Sequence, residues 1–303
     1  MEQKSITALI SAFSRAYHAT NSTEKIFDDK IARMLFSDEE YLQICETMTN
    51  GISFFNPNFN GDKSSALRWI VNNQLAPSPL GRAVFAETTL KTAVLYAKTE
   101  QYLILGAGYD TFAYRQPCWA SKLQIFEIDC NPTSSDKKKR LEKANIQIPK
   151  NLQFISADFS DKNWLNSLTD NPSFNSGKTS FCSILGVSYY LSEQTFKDLI
   201  SSLYDIMPEG SSILFDYPNK NIGEASKKQI QLAKAANEEM LAAYSYQEIE
   251  KLLSEYGFLI YEHLSPQEIT HQFFEKYNLS NYKNPIKALE NVNYCLAVKK
   301  SNF

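Results

Sequence analysis

The rhythm of apolar and polar positions changes once along this chain, near Gln101. Ahead of that point apolar residues recur at helical spacing. SITALISAFSRAYHAT places Ile6, Leu9, Ile10, Phe13, Ala16 and Tyr17 in that pattern, and DDKIARMLFSDEEYLQICETM continues it. PLGRAVFAETTLKTAVLYAK predicts another long helix starting after Pro79, and the Gly/Asn/Pro-rich GISFFNPNFNGD reads as a break. Beyond Gln101, apolar runs of strand length alternate with helical segments. The runs are YLILG (102–106), LQIFEID (123–129), LQFISADF (152–159), SFCSILG (180–186), SSILFDY (211–217), FLIYEHL (258–264) and YCLAVKK (294–300). Helices fit at 133–145, 161–168, 192–206, 221–242 and 245–256, with Pro132, Asp161 and Ser192 where helices often start.

Strand–helix alternation implies right-handed crossovers and a mostly parallel sheet covered on both faces. The last two runs break the alternation, because a longer Pro- and Asn-containing connection joins them. The expected fold is α/β: a Rossmann-like, seven-stranded, mostly parallel sheet with an antiparallel last strand and an N-terminal helical cap. With no internal repeat or low-complexity linker, residues 1–303 read as one domain, with 1–100 the cap and 101–303 the sheet.

Composition narrows the class. The 303 residues are 43% hydrophobic, enough for a sizeable core, and the net charge of −3 speaks against a nucleic-acid partner. The densest basic run, DKKKRLEK (136–143), reads as the solvated face of a helix. Five scattered cysteines form no CxxC and no Cys/His cluster, which points to a reducing compartment and to no metal site. No secretion signal and no membrane span are apparent, so a cytoplasmic location is expected.

Ligands of open α/β sheets bind beyond the carboxyl ends of the strands, so the residues at those ends carry the chemistry. The first run ends in Gly106-Ala-Gly108-Tyr-Asp110, the second in Glu127-Ile-Asp129, the third in Ala157-Asp158-Phe159, the fourth in Leu185-Gly186-Val187 and the fifth in Asp216-Tyr217. An acid about twenty positions after the glycines suits a pair of ribose hydroxyls. Asp129, at the tip of its strand, is the first choice and Glu127 the second. Asp158 can accept from an exocyclic amine while Phe159 packs on a base. A dinucleotide fits poorly: the third glycine of G-x-G-x-x-G is replaced by Thr111, and Asp110 would face the diphosphate. No G-x-x-x-x-G-K-[ST] occurs. A nucleoside without phosphate, such as S-adenosyl-L-methionine, removes the electrostatic objection.

LILGAGYDTFAYR, FEIDCNP, FISADF, ILGVSYYL and ILFDY resemble, in order, the motifs of the leucine carboxyl methyltransferase family of class I S-adenosyl-L-methionine-dependent enzymes, in its bacterial O-methyltransferase branch. SRAYHATNSTEKIFDDKIARMLF and GRAVFAETTL are similar to that family's helical lead-in, so the resemblance covers roughly residues 10–265. It implies that Gly106 lies under the cofactor, that Gly108 completes the turn, that Asp129 holds the ribose and that Asp158 and Phe159 frame adenine. Arg82 would pair with the methionyl carboxylate, a task for a planar bidentate donor, with Arg15 a second candidate for that end. The eukaryotic phosphatase methylators carry a glutamate where this chain has Leu185, a departure that turns the expectation away from a phosphatase tail.

The expected activity is therefore methyl transfer to a carboxylate or hydroxyl of a small molecule, such as a secondary metabolite. The alternatives are a nicotinamide oxidoreductase on a similar sheet and a non-catalytic S-adenosyl-L-methionine-binding protein. A carboxylate acceptor needs no base, and no catalytic residue is assigned: His18, His263 and His271 all lie outside the strand-end motifs and read as structural or exposed. The acceptor pocket is expected to be roofed by the N-terminal helices and the aromatic stretch GISFFNPNF.

Overall fold

A computed structural model describes residues 3–301 apart from 162 and 222, each of which falls inside an expected helix. The lead-in comprises helices α1 (Ile6–Asn21), α2 (Lys30–Met34), α3 (Asp38–Asn50), α4 (Ile52–Phe55), α5 (Lys63–Ile70) and α6 (Pro77–Tyr96), with a π-helical turn at Val71–Leu75. Then follow β1 (Gln101–Leu105), β2 (Gln124–Asp129), α7 (Asn131–Lys143), β3 (Leu152–Ser156), α8 (Asn166–Thr169), β4 (Ser180–Ile184), α9 (Glu193–Ile206) and β5 (Ser212–Pro218). The chain closes with α10 (Glu224–Ala235), α11 (Tyr246–Glu255), β6 (Phe258–Leu264), α12 (Pro266–Ile269), a second π-helical turn, α13 (Glu275–Ser280) and β7 (Val292–Lys299).

The strand order is β3-β2-β1-β4-β5-β7-β6. Neighbours from β3 to β5 pair in parallel, and β7 runs antiparallel to both β5 and β6. The late connection foreseen from the sequence thus returns the last strand between β5 and β6. Strand alternation divides the core: Tyr102 and Ile104 pack toward α1 and α6, whereas Leu103 and Leu105 pack toward α9 and α11. The chain reverses its direction of winding between β1 and β4, which opens a crevice at the carboxyl ends of those strands.

Local departures from the expected elements have physical causes. The helix expected over 221–242 ends at Ala235, because Asn237 turns left-handed (φ +57) and Glu238 reaches across to α1. There its carboxylate accepts from the Ile6 N–H at 2.6 Å and the Ser5 hydroxyl at 2.9 Å, at the positive end of a helix dipole. The strand expected over 152–159 stops at Ser156, since the Asp158 carboxylate accepts from the Ser160 N–H (3.0 Å) and hydroxyl (2.6 Å) and bends the chain. Among the described residues of 161–168, only 166–168 are helical.

Candidate active site

Gly106 leaves β1 at φ +64 and Gly108 follows at +51, a region glycine enters without a Cβ penalty. A Cβ on Gly106 would stand 2.3 Å from Val187 Cγ2, so the strand end can lie this close to the β4 loop only as glycine. The turn is fastened to β2. Asp129 Oδ2 accepts from the Gly108 N–H at 2.5 Å and Oδ1 from the Cys130 N–H at 2.7 Å. Burial raises the Asp129 pKa, and these two N–H groups oppose the rise.

Around this turn lies a cavity of about 950 Å³, at the upper end of the small-molecule range. All six cofactor-binding candidates line it: Arg82, Gly106, Gly108, Asp129, Asp158 and Phe159. Phe159 is held edge-on by Trp164, with ring centroids 5.2 Å apart. Hydrogen bonds from Ser160 hold the Asp158 carboxyl below its ordinary value.

The opposite wall is built on Asp216, at the end of β5 and fully buried. Its Oδ1 accepts from the Gly186 N–H at 2.6 Å, while Oδ2 accepts from the Tyr189 hydroxyl at 3.0 Å and Arg82 Nη1 at 3.3 Å. Gly186 sits at φ +69, and a Cβ there would meet Arg82 Nη1 at 2.4 Å. The guanidinium is therefore held between a carboxylate and a bare backbone. Burial pushes the Tyr189 phenol well above its usual value, so it acts here as a donor. The strand-end motif contained Asp216, but nothing local in the sequence reveals that it joins Arg82, Gly186 and Tyr189.

Arg15, the second candidate for the methionyl end, also lines the cavity; its Nε bonds Asp29 at 2.9 Å and its Nη2 bonds the Tyr109 carbonyl at 2.8 Å. Other expectations are corrected. The basic run at 136–143 is not simply solvated. Lys137 is 1% exposed and bonds Glu127 at 2.6 Å, and Arg140 bonds Glu40 and Asp136. Residues 51–59 do not line the cavity; its roof comes from α1, α3 and α10 with the segment after it. Among the described residues, no histidine lines it. His18 is buried, accepts from the Ile26 N–H at 2.9 Å, and is pushed down to about 4 by burial.

Glu127, the second choice for the ribose, faces Lys137 and does not line the cavity. Burial raises its pKa to about 7 from 4.5. Between those values the folded protein binds a proton that the unfolded chain releases. This contribution to stability is therefore lost as pH rises through that window and levels off above it. Glu127→Gln is expected to flatten that part of the pH dependence in urea unfolding; an unchanged slope would remove Glu127 as its source.

Comparison with known proteins identifies the family and the fold. The leucine carboxyl methyltransferase family matches residues 8–204. The chain is 41% identical over 308 residues to a Bacillus subtilis (strain 168) protein described as "Putative S-adenosyl-L-methionine-dependent methyltransferase YktD", covering 98% of this chain and 99% of that one. Among solved structures, a protein of Thermobifida fusca YX described as "a putative methyltransferase" shares the fold at a TM-score of 0.58 and 16% identity, covering 99% of this chain and 96% of that one. A DUF574 family protein of Streptomyces avermitilis MA-4680 does so at 0.59 and 12%, covering 95% and 97%.

Proposed function

We propose a reaction for this chain from one premise: it belongs to the leucine carboxyl methyltransferase family and is an S-adenosyl-L-methionine-dependent methyltransferase. The reaction is methyl transfer to an oxygen, carboxylate or hydroxyl, of a small molecule. The observation that carries this reading is the placement of three complementary groups around one glycine turn. A guanidinium (Arg82) suits an amino-acid carboxylate, a strand-tip carboxylate (Asp129) suits a vicinal diol, and an acid beside an aromatic ring (Asp158, Phe159) suits adenine. The bound cofactor supplies an electrophilic methyl group on a sulfonium.

The chain's own contribution is to hold and orient. Asp216 and Gly186 fix the Arg82 guanidinium, and Asp129 fixes the turn it shares with Gly108. Much of the rate of a displacement can come from such positioning. The same clasp disfavours a dinucleotide, because the Gly108 N–H that would face a diphosphate already donates to a carboxylate. The helical lead-in and the sheet both line the cavity, which supports their acting as one unit.

Calorimetric titration with S-adenosyl-L-methionine, S-adenosylhomocysteine and NAD tests the reading. The first two are expected to bind at a single site and NAD is not. Binding of NAD alone would overturn it in favour of an oxidoreductase.

A further inference from the structure

We propose that Glu238 is a positioning residue that gates cofactor exchange. By clasping the first turn of α1 it keeps the cavity shut over the glycine turn, and both entry and exit of S-adenosyl-L-methionine require the clasp to open. This rests on the methyl-transfer reading above, which places the cofactor in this cavity.

The first turn of α1 forms the roof beside the cofactor-binding candidates. Ser5, Ile6, Thr7 and Ala8 line the same cavity as Gly106, Gly108 and Asp129. The approach is close: a Cβ on Gly108 would stand 3.1 Å from Ala8 Cβ. A ligand lying along the glycine turn is therefore covered by this turn of helix. The helix itself is unevenly anchored. Its buried residues run from Ala12 to Ala19, whereas Ile6 is 46% exposed. Helix ends fray readily, so the first turn can lift while the rest stays packed.

Glu238 holds that turn down. Its Oε1 accepts from the Ile6 N–H at 2.6 Å and the Thr7 N–H at 3.2 Å, and its Oε2 accepts from the Ser5 hydroxyl at 2.9 Å and from the Thr7 hydroxyl. The Ser5 hydroxyl in turn accepts from the Ala8 N–H at 3.0 Å, and the Ser5 N–H donates to Thr133 at 3.1 Å. All four N–H groups that a helix start leaves without an intrahelical partner are thus satisfied, two of them by one carboxylate at the positive end of the dipole. The other ties are weaker. The Tyr190 and Thr7 hydroxyls are 3.4 Å apart, and Lys4, 42% exposed, pairs with Asp136 at 3.2 Å.

The other half of the clasp is lightly held as well. Glu238 lies three residues past α10, in a stretch without helix or strand, and among the described residues of α10 only Ser226 and Ala233 are buried. Segments with few buried neighbours open locally at low cost. The Leu241 N–H then fastens the chain to the Tyr189 carbonyl at 2.7 Å. One carboxylate therefore joins two weakly anchored segments, from opposite ends of the chain, over the cavity.

A gate has a kinetic signature. Weakening the closed state multiplies association and dissociation rates by the same factor, which cancels in their ratio. Loss of an ordinary contact raises dissociation and leaves association nearly as it was.

The test measures both rates for S-adenosylhomocysteine by surface plasmon resonance on the immobilised full chain. Glu238→Ala is expected to raise both about tenfold, the scale of one hydrogen bond to a charged group, with the dissociation constant within about twofold of the parent. Ile6→Pro loosens the clasp from the other side. Proline suits the first helical position and removes the N–H that Glu238 accepts, and Ser5 already has the extended backbone (φ −68, ψ 120) that a following proline requires. It is expected to raise both rates about threefold, on the scale of one capping bond, and it decides alone should Glu238→Ala fold poorly. Faster dissociation with unchanged association would make Glu238 a direct contact and overturn the proposal, as would unchanged rates. Failure of the parent protein to bind S-adenosylhomocysteine is a separate result and overturns the methyltransferase reading instead.

Discussion

Arg82→Ala is expected to lower folding stability by about 3 kcal/mol, the scale for removing one partner of a buried ion pair, and to weaken S-adenosyl-L-methionine binding more than tenfold. The first effect follows from Asp216, fully buried at the end of β5, which would keep two donors but lose its only counter-charge among the described ion pairs. The second follows from the loss of a planar donor for the cofactor's carboxylate. The two effects separate in a double variant. Arg82→Ala with Asp216→Asn removes both charges, so stability in denaturant melts should recover in part while cofactor affinity does not. Arg82→Lys keeps the charge but not the fork and should recover neither fully. An Arg82→Ala protein that binds cofactor as the parent does would remove Arg82 from the site.

Asp129→Ala is expected to weaken cofactor affinity by about 1.5–3 kcal/mol, the scale of a lost hydrogen bond to a charged group. The carboxylate already serves the Gly108 and Cys130 N–H groups, so its loss also frees the glycine turn. Asp129→Asn separates these roles. The amide oxygen can still accept from the Gly108 N–H, but Nδ2 then faces the Cys130 N–H donor to donor, so the turn is retained in part while no charge meets the ribose hydroxyls. Calorimetry measures the affinity and a thermal melt measures the turn's contribution to stability. An unchanged dissociation constant in both variants would remove the ribose assignment.

Much of this site was legible in the sequence because parallel strands covered on both faces read as uninterrupted apolar runs. YLIL is such a run, buried at every position, and the residue that ends each run lands on one edge of the sheet. Five strand ends could therefore be brought together without knowing any helix. The antiparallel last strand was legible for a similar reason, since the late connection broke the strand–helix alternation. Contacts distant in sequence were not. Lys137 sits in a run of charges whose exposed face is set by which side of α7 meets β2, so its burial against Glu127 had no local sign. Glu238 leaves α10 to cap a helix more than 200 residues away. That bond, and not helix propensity, explains why the helical pattern after Ala235 goes unused.

The roof of the cavity carries the same lesson. Aromatic residues 54, 55 and 59 looked like a hydrophobic cover, but the cover is made where α1 meets the segment after α10. Chain segments from opposite ends of the sequence enclose the crevice that the strand ends define.

A crystal structure of the S-adenosylhomocysteine complex measures the placement of these groups most directly. The predicted result puts the ribose hydroxyls on Asp129, the amino-acid carboxylate on Arg82 and the adenine ring beside Asp158 and Phe159, with the part of the cavity lined by α3 and α10 left open. A nucleoside seated elsewhere, with Asp129 bonded only to Gly108 and Cys130 and Arg82 only to Asp216, would contradict it.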